Sequence, residues 1–484
     1  MKKLTDILKN PPVREVCGDT AAAIGGLVYD SRAVKPGDCF FAVPGTQSDG
    51  HDYIPMAVEK GAAAIVCERM PADAAEGVAY VLVGDSAGAM ADMAAAFYDY
   101  PSRELKLVGI TGTNGKTTTA TLLYDLVRAM GYKAGLISTV VYKIDGREVE
   151  ATHTTPDSIR LNAMMREMAD AGCAYCFMEC SSHAIVQERT RGLDFAGGIF
   201  SNITHDHLDY HKTFAEYIRA KKLFFDGLPK GAFALTNADD RNGRVMVQNT
   251  AAAVSAYSLR AMADFRCKIV EMHLDGMLLR IDGQELWVGL LGRFNAYNLL
   301  AVYGAAALLG LNRGEVLRVL SMLHAVSGRF EKIRAANGTT AIVDYAHTPD
   351  ALENVIQTIE EIRTPGQQLI VVCGCGGDRD RTKRPEMAAI AVKYATTAVF
   401  TSDNPRHESP EAILDDMVAG LEPGARYLRI ADRAEAIRTA VMLSRPGDII
   451  LVAGKGHETY QIVGDVKHPF DDREEIKKRF ALLN

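Results

Sequence analysis

The chain has 484 residues, 48% hydrophobic and 24% charged, a globular balance with apolar material for several cores and no mark of long disorder. A formal net charge of −7 and a pI near 6.0 argue against a general binder of nucleic-acid backbone, while leaving room for a local basic pocket that takes a small anion. At roughly 100–200 residues per domain, the length predicts about three domains.

The opening MKKLTDILKNPP has two lysines but no apolar core after them, and no later stretch nears the roughly 18 apolar residues of a membrane span, so a soluble cytoplasmic protein is expected. Nine cysteines at irregular spacings, with Cys39, Cys67, Cys373 and Cys375 in apolar runs, read as reduced core residues. Up to about residue 100, short apolar runs (GLVYD, DCFFAVPG, AAAIVCE, VAYVLVG) alternate with the helical YIPMAVEKG and a closing helix, SAGAMADMAAAFYDY. Pro101 and Ser102 then break the chain.

From LKLVGI a second series begins: a helix from Thr117 to Met130, a strand AGLISTVVY, a helix from Ser158 to Asp170, strands AYCFMEC and GGIFSNIT, and the helix TFAEYIRAKKLFF. Cys173, Cys176 and Cys180 fall in GCAYCFMEC, which reads as one strand with no matching second pair, so zinc is not expected there. A β-rich stretch, FRCKIVEMHLDGMLLRIDGQELWVGL, precedes helices between Asn295 and Leu323. From Ser327 five strands (TAIVDYAHT, QQLIVVCGC, TTAVFTSD, YLRI, DIILVAGKG) alternate with helices. The predicted fold class is α/β with three domains: a small N-terminal α/β domain (1–100), a central P-loop ATPase-type domain with a mostly parallel sheet (101–326), and a C-terminal Rossmann-like, doubly wound domain (327–484).

The strongest motif is VGITGTNGKTTTATLLYDLV. Gly112, Thr113, Asn114, Gly115, Lys116, Thr117 and Thr118 follow an apolar strand and open a helix, so backbone N–H groups and the helix N-terminus suit phosphate oxygens, Lys116 suits the β and γ phosphates, and Thr117 suits Mg2+. The loop is the short GxxGK[ST] form, because position 110 is Ile. Glu179 ends a strand that should lie beside this loop, where it is either a Mg2+ ligand or a polar strand cap. SNITHDHLDYH offers His205, Asp206, His207, Asp209 and His211, which by themselves fit a zinc site, a Mg2+ neighbour or a helix-capping loop equally. Lys221 and Lys222 read as a solvated helix face, and DYAHTPD puts Asp344 and His347 on a strand-end loop that also suits a helix start. GCGGDRDRTKRPEM, with Arg379, Arg381 and Arg384, matches a dinucleotide fingerprint only in part. TSDNPRHESP has the composition of an ordinary turn.

TGTNGKTTT, ECSSHAIVQER, SNITHDHLDYH, LGRFNAYN, SGRFE, DYAHTPD and AGKGHE, in this order across nearly the whole chain, resemble the Mur ligases of peptidoglycan synthesis, and among them the members that add the third residue of the stem peptide. The resemblance implies an ADP-forming amide ligase. A D-glutamate carboxylate of UDP-N-acetylmuramoyl-L-alanyl-D-glutamate takes the γ-phosphoryl group of ATP as an acyl phosphate, the incoming amine attacks it, and phosphate leaves. It further implies that Gly112 to Thr118, Asn295, Arg329, Asp344 and His347 serve ATP, that Thr117, Glu179, His207 and a carbamylated Lys221 hold Mg2+, and that Lys116, Glu179, His207 and Lys221 are catalytic. Ser31, Thr46, Gln47 and Ser48 match the grip on UDP; His153, Thr154, Thr155, Ser181, Gln187 and Arg189 match the lining of the muramoyl dipeptide, His153 standing where some relatives have Asn. A monomer acting on small molecules is expected.

Members differ in adding meso-diaminopimelate or L-lysine. Asp403, Asn404, Pro405 and Arg406 resemble the signature of diaminopimelate-adding members, with Arg384, Gly454 and Glu458 completing the pocket by analogy; an arginine there receives the second carboxylate that lysine lacks. A lysine-adding ligase, a folylpolyglutamate synthase and a P-loop switch protein are the rival readings, weighed against by this signature, by the N-terminal segment and by the third α/β unit respectively.

Overall fold

The computed structural model describes every residue except Thr46, Gln47, Thr152, His205, His207 and Asn484, and only the backbone of Leu208 and Asp209. Three large sheets follow one another along the chain. The first has five strands: β1 (Val13–Cys17), β2 (Leu27–Val28), β3 (Cys39–Phe41), β4 (Ala64–Cys67) and β5 (Ala79–Val83), in the order β1-β5-β4-β3-β2 with only β1 antiparallel. The strand β1 was not evident in the sequence, since VREVC alternates charged with apolar residues on a half-exposed edge.

The second sheet has eleven strands. They are β6 (Lys106–Thr111), β7 (Ala134–Ile137), β8 (Val141–Ile144), β9 (Arg147–Glu150), β10 (Tyr175–Glu179), β11 (Gly197–Phe200), β12 (Phe233–Asn237), β13 (Ala253–Ser258), β14 (Phe265–His273), β15 (Gly276–Ile281) and β16 (Gln284–Val288). Their order is β9-β8-β7-β10-β6-β11-β12-β13-β14-β15-β16, parallel from β7 to β14 and antiparallel at both ends. The β-rich stretch therefore extends the central sheet. Strands β6, β10 and β11 are near-continuous apolar runs because both faces are covered by helices.

AGLISTVVY forms two strands where one was expected. Ser138 Oγ donates to the Val141 carbonyl at 2.9 Å and accepts from the Val141 N–H at 3.3 Å, turning the chain between β7 and β8.

The third sheet comprises β17 (Glu331–Arg334), β18 (Thr340–Asp344), β19 (Leu369–Cys373), β20 (Thr397–Phe400), β21 (Tyr427–Arg429) and β22 (Ile449–Ala453), in the order β17-β18-β22-β19-β20-β21, parallel except for β17. A separate hairpin, β23 (Tyr460–Val463) with β24 (Val466–Pro469), follows it. Side-chain caps start the intervening helices: Asp157, Thr213 and Thr348 each accept a backbone N–H two or three residues on. One apolar cluster runs continuously from Val108 and Leu123 through Leu300 and Phe330 to Leu352 and Val371, so the second and third sheets share a core.

The loops that leave the carboxyl ends of β18, β19, β20 and β22 lie at one edge of the third sheet, where open parallel sheets bind ligands. That edge is anchored by a wholly buried ion pair. Arg433 donates to Asp472 at 2.7 Å through both Nε and Nη2, and to the Ala453 carbonyl at 3.0 Å. Asp472→Ala leaves a buried guanidinium unpaired and is expected to cost about 3–5 kcal/mol, read by urea unfolding. A loss below about 1 kcal/mol would show that the pair is dispensable.

Candidate active site

The phosphate-type loop leaves β6 and enters helix α1 (Lys116–Ala129). Gly112 has φ +149°, and a Cβ there would sit 2.0 Å from Ser201 Oγ; Gly115 has φ +87°, and a Cβ would meet Asn298 Oδ1 at 2.5 Å. Both positions therefore require glycine. The SNIT loop after β11 clamps the turn: Thr113 N–H donates to the Asn202 carbonyl at 2.8 Å, Asn114 N–H to Asn202 Oδ1 at 3.0 Å, and Ser201 Oγ to the Asn114 carbonyl at 2.6 Å.

Two lysines converge on this loop. Lys116 Nζ donates to the carbonyls of Gly112 (2.8 Å) and Thr113 (2.7 Å), and Lys221, from helix α2 (Phe214–Asp226), donates to the same Gly112 carbonyl at 2.8 Å. Lys221 is buried against the Tyr217 ring, which differs from the solvated face its sequence suggested. Burial and then the Lys116 charge push the Lys221 ammonium well below its ordinary pKa.

Glu179 ends β10 beside β6, as the alternation implied, and is buried. Its carboxylate accepts Thr139 N–H at 2.7 Å and Thr139 Oγ1 at 3.2 Å, so the turn between β7 and β8 orients it. His205 and His207 lie outside the described residues, as does the Asp209 side chain; among the described residues no group of three metal-ligating side chains occurs.

Next to Glu179 lies a polar cluster. Thr155 Oγ1 donates to the Glu179 carbonyl at 2.7 Å and lies 3.4 Å from Ser181 Oγ; Arg189 donates to the Thr155 carbonyl and to Gln187 Oε1, each at 2.6 Å; Thr154 Oγ1 lies 3.1 Å from Thr139 Oγ1. His153 meets Tyr142 through its backbone. Five residues expected around one ligand are thus neighbours. Ser31 is buried in a short turn and Ser48 is exposed, on loops of the first sheet, while Thr46 and Gln47 lie outside the described residues. Tyr29, two residues before Ser31, lies within electrostatic range of Arg189 and Asp157, which ties that sheet to the cluster.

Across the loop, a cavity of about 390 Å³ lies between the second and third sheets, lined by Asn114, Gly115, Asn298, Arg329, Asp344 and His347 among others. Asn295 stands behind this lining: it is buried and accepts from Asn298 Nδ2 at 3.1 Å, so it orients Asn298. Arg329 Nη2 donates to Thr117 Oγ1 at 3.1 Å, and Asn114 Nδ2 to Asp350 Oδ2 at 2.9 Å. Burial raises the Asp344 carboxyl to about 6 and lowers His347, disfavouring the charged form of each.

The loops at the edge of the third sheet bring a second group of polar residues together. Arg406 has φ +51°, and its Nη1 donates to the Gly377 carbonyl at 2.8 Å; among the described residues no carboxylate pairs with it. Asp403 and Asn404 are buried; Asn404 Nδ2 donates to Glu458 Oε2 at 2.8 Å. Gly454, at φ +116°, admits Asp403, whose Oδ2 lies 2.4 Å from where a Cβ would stand.

Three family signatures match: Mur ligase family, catalytic domain (residues 23–98), Mur ligase middle domain (110–306), and Mur ligase, glutamate ligase domain (328–456). The UDP-N-acetylmuramoyl-L-alanyl-D-glutamate--2,6-diaminopimelate ligases of Phocaeicola vulgatus and Bacteroides fragilis are each 55% identical over 99% of both chains. The chain belongs to the Mur ligase family. A solved ligase of the same description superposes with TM-score 0.71 at 31% identity over 99% of each chain. The Thermotoga maritima MurF ligase, solved with ADP, shares the fold at TM-score 0.65 and 19% identity, covering 94% of this chain and 96% of its own.

Within this Mur ligase, Arg384 departs from its expected place in the amino-acid pocket. It lies in helix α3 (Lys383–Tyr394) with a wholly buried side chain, donating to both oxygens of Glu408 (2.7 and 2.9 Å) and to Asp416 (2.7 Å). A guanidinium so engaged braces the loop that carries Arg406 instead of facing a ligand. The cation beside Arg406 is the exposed Arg379, whose charge, after burial, disfavours that of Arg406. The sequence displayed both arginines in GCGGDRDRTKRPEM, but Arg384 lies on the helix while Arg379 lies on the exposed loop before it. Arg384→Ala is expected to lower stability by about 2 kcal/mol or more in urea unfolding, an effect that Arg379→Ala does not share.

Proposed function

We propose that this Mur ligase adds meso-diaminopimelate to UDP-N-acetylmuramoyl-L-alanyl-D-glutamate in the cytoplasm, as a monomer, with ATP as co-substrate. The observation that carries the amino-acid assignment is Arg406, half-buried and served only by carbonyl oxygens, so that its remaining donors suit a carboxylate bidentately. Glu458, one oxygen of which takes no hydrogen bond among the described residues, suits the neighbouring ammonium. L-Lysine supplies the ammonium but leaves the arginine unmet. The relatives that share more than half of the sequence carry this activity in their names.

The chemistry follows from a carboxylate's poor electrophilicity. The D-glutamate carboxylate attacks the γ-phosphorus and ADP leaves; the amine of diaminopimelate then attacks the acyl carbon, loses a proton, and inorganic phosphate departs. Lys116 and the backbone of Gly112 to Thr118 hold the phosphates, Arg329 joins them through Thr117, and Asn298, held by Asn295, lines the adenosine side with Asp344 and His347. The donor set fits Mg2+, a hard cation content with few protein oxygens beside phosphate: the Thr117 hydroxyl, the buried Glu179 carboxylate, His207 and a carbamylated Lys221. Mg2+ bound there offsets charge as anions approach one another. Support for the carbamate lies in Lys221 itself, since burial favours its neutral amine, the form that adds CO2. Thr154, Thr155, Ser181, Gln187 and Arg189, with His153, line the dipeptide, and Ser31, Thr46, Gln47 and Ser48 the uridine diphosphate.

Phosphate release with the nucleotide substrate is expected with meso-diaminopimelate and not with L-lysine or L-ornithine; release with none of the three overturns the ligase reading. Arg406→Ala is expected to lower kcat/KM for diaminopimelate about a hundredfold or more with the KM for ATP within about twofold. Incubation with 13C-bicarbonate is expected to give a carbamate carbonyl signal that Lys221→Ala lacks; an unmodified, fully active enzyme would remove Lys221 from the metal set.

A further inference from the structure

One buried cation at the edge of the third sheet has no role in this chemistry. Lys455 follows β22, its side chain is 0% exposed, and its Nζ donates to Glu458 Oε2 at 2.9 Å and Asn404 Oδ1 at 3.0 Å, with the Tyr460 ring 5.7 Å away. Asn404 closes the triangle by donating to the same Glu458 oxygen, and its Oδ1 also accepts Ile462 N–H at 2.9 Å. The triangle fixes which way the Asn404 amide faces and leaves Glu458 Oε1 without a hydrogen bond among the described residues. Asp403, Asp378, Arg406 and Arg379 are the further charged groups around it.

We propose that Lys455 is a positioning and charge-setting residue: it orients Glu458 and Asn404 and cancels the Glu458 charge, so that the pocket favours an amino acid whose far end pairs a carboxylate with its ammonium over one that ends in an ammonium alone. This rests on the amino-acid site proposed above. With Lys455 present, three cations (Lys455, Arg406, Arg379) face three carboxylates (Asp378, Asp403, Glu458), and a far end of zero net charge suits that balance. A bare ammonium gains no net attraction there and leaves Arg406 unmet. Without Lys455 one carboxylate is in excess, a bare ammonium is attracted, and part of the discrimination disappears.

The test is the ratio of kcat/KM for meso-diaminopimelate over L-lysine, measured by phosphate release on the full-length enzyme. Lys455→Met is expected to lower the ratio about tenfold, through a rise in lysine use, with the KM for ATP within about twofold. Adding Glu458→Gln to that variant is expected to move the ratio back toward wild type, which loss of packing alone does not do. A ratio within about twofold of wild type in Lys455→Met overturns the proposal. Should Lys455→Met fail to fold, Glu458→Gln alone decides: with Lys455 left uncompensated the ratio is expected to rise about threefold or more, and an unchanged ratio overturns the proposal. Wild-type enzyme inactive with both amino acids overturns the amino-acid reading itself, a result distinct from an active enzyme whose ratio does not move.

Discussion

Two lysine side chains share one carbonyl oxygen, that of Gly112. Two unit charges about 4 Å apart repel by roughly 4 kcal/mol at an effective dielectric of 20, and burial adds to the cost of keeping both ionised. Arg329, drawn to Thr117 from the third sheet, adds a further cation to the same neighbourhood. A chain of net charge −7 has thus concentrated positive charge at one loop. Phosphate oxygens relieve that concentration, and so does depletion of charge at Lys221. The loop geometry is what brings the lysines together: only glycine at 112 admits Ser201 so closely, and only the SNIT clamp holds the carbonyl where both ammonium groups reach it.

Asp344 carries this constraint to the second group of polar residues. Its side chain accepts Phe330 N–H at 2.7 Å, just after Arg329, and its carbonyl accepts Gly454 N–H at 3.0 Å, the start of the loop that holds Lys455 and Glu458. Phe330 and Gly328 both have positive φ, and Gly328 packs so tightly against Gly456 and His457 that a Cβ would lie 2.0 Å from the His457 nitrogen. The connection between the second and third sheets is therefore held by the strand ends that line the cavity and carry the loop of Lys455 and Glu458. Movement of the third sheet as a body has to pass through this contact, which couples the two loop clusters without a separate linker.

Much of the α/β alternation was legible because parallel strands buried on both faces leave long apolar runs: TAIVD, LIVVC and IILVA stand out at once. Edge elements were less visible. Strand β1 and the hairpin of β23 and β24 are half-exposed and polar, so their pattern resembles loop. The break between β7 and β8 was hidden because Ser138 and Thr139 are acceptable strand residues; their side-chain bonds, not their propensities, turn the chain. The site residues carried by motifs were findable as a set, yet their roles divide by distances that spacing does not encode. Lys221 and Lys222 are adjacent, and one is buried on the phosphate loop while the other pairs with Asp226 at a helix surface.

The hairpin that escaped sequence reading holds the loop of Asp403 to Arg406 in place. Its residues bond to the DNPR loop throughout: Gln461 Nε2 to the Asp403 carbonyl at 2.6 Å, Ile462 N–H to Asn404 Oδ1, Arg406 N–H to the Ile462 carbonyl at 3.1 Å, and Gly464 N–H to the Arg406 carbonyl at 2.8 Å. An arginine at φ +51° pays a strain that these bonds offset, since a non-glycine residue rarely holds the left-handed region unaided. Arg406 is thus fixed on both sides by main-chain bonds, its backbone held against its preference and its direction set by the fold itself.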